Sequence, residues 1–104
     1  MIVTMTDNLP GHEIVHVIGT ARGNVVRARF FGRDIMAGLR SIVGGEVPEY
    51  TKLMAEAREQ AIDRMISHAR LQGADAVVSM RLTTSMIMSG SAEILAYGTA
   101  VRIS

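Results

Sequence analysis

The sequence predicts an α+β domain, with three or more antiparallel strands and one dominant helix. Three observations carry that prediction. One apolar helical stripe runs unbroken from Tyr50 to Gly73. Two apolar runs follow it, starting near Ala76 and Ala92 and separated by Ser89-Gly90-Ser91, which reads as a turn. The segment EIVHVIG at 13–19, dense in Val and Ile, adds a strand before the helix. A chain of 104 residues without internal repeats, linkers or low-complexity stretches is one domain, residues 1–104.

Ile2 to Met5 is a short β-branched run, stopped by Asp7-Asn8 and Pro10-Gly11. After residues 13–19, the extended pattern is interrupted at Gly19 and Gly23-Asn24 and resumes over 24–30 (NVVRARF). Two readings fit: a hairpin across Ala21 to Asn24, or one long strand bulged at its glycines. Asp34 is a helix cap, and Ile35, Met36, Leu39, Ile42 and Val43 fall on one helical face. A short helix is therefore expected over about 34–43, ended by Gly44-Gly45.

The long helix is expected over about 48–72. Pro48 suits the first turn because its missing N–H would have no partner there, and Glu49 places negative charge near the positive end of the dipole. Its stripe, Tyr50, Leu53, Met54, Ala57, Ala61, Met65 and Ala69, mixes large residues with alanine, which lets another layer approach closely. Lys52 and Glu56 are spaced for an ion pair worth a few tenths of a kcal/mol.

Between Ala76 and Met88 the even positions form a mostly apolar face and the odd positions a mixed one. From Ala92 to Ile103 both faces are apolar: Leu95, Tyr97, Val101 and Ile103 on one, Ile94, Ala96, Gly98 and Ala100 on the other. Both then need cover. The long helix supplies one cover, and a second copy of the chain is the simplest source of the other. Composition agrees, since 48% of residues are hydrophobic and only 4% aromatic, more apolar surface than one small sheet-and-helix layer hides.

A net charge of +1, from 11 basic and 10 acidic residues, argues against a nucleic-acid binder. The absence of Cys excludes disulfides, thiolate nucleophiles and thiolate metal sites. No basic leader opens the chain and no apolar run approaches the ~20 residues of a membrane span. A cytoplasmic protein with no membrane partner is expected.

His12-Glu13-Ile14-Val15-His16 matches the H-E-x-x-H pattern of zinc peptidases, which requires a helix to stack both imidazoles on one metal. The surrounding Val and Ile predict a strand, which would hold the two histidines roughly 13 Å apart. Met80, Met86 and Met88 share an expected face and carry soft thioethers, but Met also fills cores and interfaces. His12, His16, Met86 and Met88 are thus the weak metal alternatives. Arg22, Arg27, Arg29 and Arg33 cluster within twelve residues, opposed only by Asp34. Guanidinium groups pair with phosphate and carboxylate, so Arg27, Arg29 and Arg33 are the candidate ligand-binding residues. No catalytic set is apparent.

The blocks RDIMAGLRSIVGGE, YTKLMAEAREQAIDRM, LQGADAVVSMR and AEILAYGTAV resemble the YbjQ-like family of small bacterial and archaeal proteins, over nearly the whole chain. The resemblance implies a dodecin-type subunit with a long helix on a curved antiparallel sheet. It also implies association as a homopentameric ring, and a heavy-metal-binding label without agreed residues. The function expected is a non-enzymatic, ring-forming protein that takes a small anion at subunit interfaces. Its rivals are a metal-binding protein, an enzyme assembled between subunits from Asp34, His68 or Glu93, and a purely structural ring.

Overall fold

The computed structural model describes residues 1–28, 48–88 and 91–104. Four strands form one sheet: β1 (Ile2–Val3), β2 (Ile14–Ala28), β3 (Ala76–Met88) and β4 (Ser91–Ile103), in the order β1-β3-β4-β2. Among the described residues one helix, α1 (Pro48–Leu71), lies across β2 and β4. The short helix expected at about 34–43 falls outside the described residues, so a long helix paired with a short one is not borne out.

The sheet is mixed rather than purely antiparallel. β2, β4 and β3 run antiparallel to one another, while β1 lies parallel to β3, Ile2 opposite Ala76 and Val3 opposite Val77. Of the two readings for residues 13–30, the long bulged strand holds: β2 is continuous, and its register against β4 slips at Ile14/His16 and at Val17/Gly19. Gly23 lies in unbroken register opposite Ala96.

β3 does not keep one phase. Its register against β4 shifts between Val78 and Arg81, around Ser79, whose φ of 55° is unusual for a side-chain-bearing residue. Val77, Met80 and Leu82 therefore all pack on the core under the helix, which simple alternation would not allow. The N-terminal segment holds Ser79 in place. Its N–H donates to the Thr6 carbonyl at 2.9 Å and its hydroxyl to Asp7 Oδ1 at 2.5 Å.

The main core lies between α1 and the sheet. Ala57, Ala61, Met65 and Ala69, spaced by four, bury one helical stripe against Ala21, Val25, Val77, Ile94, Ala96 and Ala100. A smaller core occupies the opposite face, where Leu9 covers Ala76, Val78 and Val101, with Ile14 and Ile103 beside them. A second copy is the simplest expected cover for the far side of β4, yet residues before β2 cover one end of it. Leu95 there is half-buried and Tyr97 is exposed.

The helix ends in a Schellman turn. The Gly73 N–H reaches the Arg70 carbonyl and the Ala74 N–H the Ala69 carbonyl, both at 3.0 Å, with Gly73 at φ 83°. Asp75 then ties the last strand, accepting the Ile103 N–H on Oδ2 at 3.0 Å. The Lys52–Glu56 pair does not form; the ion pair present among the described residues is Arg58–Glu59 at 3.8 Å, which is exposed and contributes little.

Candidate functional site

Among the described residues β2 is an edge strand, and the backbone groups along its outer side have no neighbouring strand there. A polar stripe on α1, next to the buried alanine stripe, supplies their partners. Arg64 Nη1 donates to the Asn24 carbonyl at 2.7 Å, His68 Nδ1 accepts the Arg22 N–H at 3.0 Å, and Gln72 Nε2 donates to the Thr20 carbonyl at 3.2 Å. One turn earlier, Gln60 Oε1 accepts from Arg27 Nη2 at 2.6 Å. Gln60, Arg64 and His68, with Gln72 just past the end of α1, recur every four residues, which keeps them on one side of the helix axis. The spacing is visible in the sequence, but its meaning depends on which strand lies beneath it.

Beside this clasp, a cleft of about 420 Å³ is lined by Arg22, Asn24, His68 and Leu95. Asn24 and Leu95 are paired across β2 and β4, and Arg22 pairs with Tyr97, so three of these side chains share the sheet face away from the helix. His68 reaches the cleft around the strand edge. Its acceptor role at Nδ1 requires the neutral ring to carry its proton on Nε2, which turns a donor away from the strand. Asn24 Nδ2 donates to Glu93 Oε2 at 3.0 Å, so this carboxylate beside the cleft is held by an amide.

The arginine cluster read from the sequence is divided. Arg22 lies on the far face and Arg27 on the helix face, where it is half-buried, donates to the neutral Gln60 and leaves Nε buried without a partner among the described residues. Arg29 and Arg33 fall outside the described residues, as does Asp34.

The H-E-x-x-H segment is not helical. Residues 12 and 13 precede β2, and His16 lies within it, so the helical geometry on which that zinc motif depends is missing. His12 Nδ1 lies 3.4 Å from the Ser104 carbonyl, and both histidines are exposed. Met80 packs against the main core while Met86 is exposed; the side chain of Met88 falls outside those described. Among the described residues, no three His, Cys, Asp or Glu side chains gather as metal ligands.

A family model described as "Putative heavy-metal-binding" (YbjQ) matches residues 1–104. The chain belongs to the YbjQ family. Curated YbjQ relatives carry the name UPF0145 protein. One from Methanosarcina acetivorans is 57% identical over 103 residues, covering 99% of this chain and 97% of its own. One from Vibrio parahaemolyticus is 57% identical with 99% and 98% covered, and one from Archaeoglobus fulgidus is 52% identical with 99% and 95% covered. The YbjQ fold also matches a crystal structure of a protein of unknown function, of the DUF74 family, from Pediococcus pentosaceus. The TM-score there is 0.63 at 18% identity, over 100% of this chain and 98% of that one. No described helix is long and apolar enough to cross a membrane.

Proposed function

We propose that this chain is a non-enzymatic subunit that self-associates through the sheet surface its own helix and N-terminal segment leave open. The observation that carries this reading is the contrast between the two sheet edges. The outer edge of β2 is clasped by Arg64, His68 and Gln72. The outer edge of β3 is met by the N-terminal segment only as far as Arg81, whose Nη1 donates to the Met5 carbonyl at 3.1 Å. From Leu82 to Met88 (LTTSMIM) it has no neighbouring strand among the described residues. That stretch carries no charge and no proline, the devices by which edge strands resist pairing.

Exposed apolar side chains support the same reading. Val17, Val26 and Tyr97 lie on the far face, and Met86 and Ile87 near the free edge. The radius of gyration is 17.1 Å, against about 13 Å for a compact chain of this length. So extended a subunit gains core by joining others. The family resemblance points to a closed ring of five copies, an arrangement in which each free edge finds a partner.

Native mass spectrometry of the untagged protein tests this. The expected species is a five-fold multiple of the 11.2 kDa chain mass. A monomer at micromolar concentration would overturn the reading.

The family description favours heavy-metal binding as a second reading. With no Cys, its ligands would be His12, His16, Met86 and Met88 brought together between subunits. Elemental analysis of tag-free protein separates the two, since stoichiometric metal lost on His16→Ala would favour it.

A further inference from the structure

We propose that the cleft between α1 and the far face of the sheet binds a small oxyanion, the phosphate or carboxylate group of a small molecule, through Arg22 and the Nε2–H of His68. Four observations point to this chemistry.

Two of the side chains that line the cleft, Arg22 and His68, carry N–H donors. The Arg22 side chain is exposed and lies within ion-pair distance of no described acid. A guanidinium presents paired N–H groups that match an oxyanion.

His68 is oriented before any ligand arrives. The Arg22 N–H occupies Nδ1, so the remaining ring donor is fixed on Nε2. A single residue, Arg22, thus supplies one ligand-binding group and sets the tautomer of the other.

Among the described residues around the cleft, the arginines outnumber the carboxylates. Arg64 sits one turn before His68 and is engaged by the neutral Asn24 carbonyl, with no acid among the described residues in ion-pair distance. Glu93 is an opposing charge, and Asn24 Nδ2 holds it at 3.0 Å. Carbonyls at the end of α1, which would repel an anion, are taken up by the Gly73–Ala74 turn.

Finally, Leu95 forms an apolar wall beside these donors. That combination suits an anion with a short carbon body, since ligand sites pair apolar lining with a few oriented polar groups.

The test is isothermal titration of the tag-free full-length chain with inorganic phosphate, and separately with acetate, at constant ionic strength set by chloride. Saturable binding of at least one of them is expected. Arg22→Gln should weaken it about tenfold, the effect of losing one charged hydrogen bond. Glu93→Gln should tighten it severalfold by removing the opposing charge. Tighter binding of phosphate assigns a phosphate group, and tighter binding of acetate a carboxylate. No saturable binding of either anion, or an unchanged affinity in Arg22→Gln, overturns the proposal. Should Arg22→Gln fail to fold, Glu93→Gln decides, because unchanged or weaker binding there also overturns it.

Discussion

Gly23 lies flat against the backbone of the helix at Met65: a β-carbon on Gly23 would collide with the Met65 amide nitrogen and the Ala61 carbonyl. Strand and helix meet there backbone to backbone, because a glycine faces two of the alanine-stripe turns. Gly23→Ala should destabilise the fold by about 2–3 kcal/mol, since the colliding atoms are main chain and cannot rotate away. Gly11→Ala is the control. A β-carbon there meets nothing within 4 Å, and only its φ of 87° is unfavourable, so about 1 kcal/mol is expected. Urea denaturation of both variants gives the comparison.

His68→Ala removes the acceptor for the Arg22 N–H. A loss of about 1 kcal/mol is expected. Hydrogen exchange locates it: the Arg22 amide should exchange about fivefold faster, while amides of β4 stay protected. An unchanged Arg22 rate would mean that the clasp contributes nothing to the edge.

Met65 is fully buried at the centre of the alanine stripe, and its neighbours on that stripe are too small to fill the space it would vacate. Met65→Ala should cost about 2–5 kcal/mol in thermal or urea unfolding. Leu71→Ala, at a residue 88% exposed on the same helix, should cost under about 0.5 kcal/mol.

At the end of the helix, Gly73→Ala forces a β-carbon into a left-handed conformation and to 3.0 Å from the Arg102 guanidinium. The expected cost is about 1–2 kcal/mol. Gly73→Asn should recover part of it, because Asn tolerates that conformation. Melting temperatures rank the two.

Thr84→Lys combined with Met86→Lys places two charges beside the free edge of β3, at side chains that are exposed in the single chain. Folding should be nearly unaffected, while association through that edge should fail. Sedimentation velocity would report a smaller species with unchanged circular dichroism. A full-sized assembly in the double variant would place the interface elsewhere.

Much of the fold was legible in one dimension. Pro48 and Gly73 bracket the long helix because each acts through its own backbone, one lacking an N–H and the other permitting positive φ. Spacing by four marked Ala57, Ala61, Met65 and Ala69 as the buried stripe. The candidate site was less legible. Arg22 and Arg27 are close in sequence, yet an odd separation along a strand sends them to opposite faces. His68 stood in the sequence only as a candidate acid–base group, and only the fold shows that it and Arg64 both serve the edge of β2. Leu9 gave only a faint signal as one apolar residue among turn formers, and it proved to cap a core of its own.

The sequence by itself determined the long helix, the three long strands and the lack of thiol chemistry. Local periodicity and residue type decide those features without reference to distant parts of the chain. Only the tertiary structure decided that β1 adds in parallel, that the bulge at Ser79 reverses the facing of β3, and that the polar helix stripe closes one sheet edge while leaving the other open. Each of these depends on pairing between residues far apart in sequence, such as Ser79 with Asp7 and His68 with Arg22. Register and edge exposure are properties of such pairs, and no local pattern encodes them.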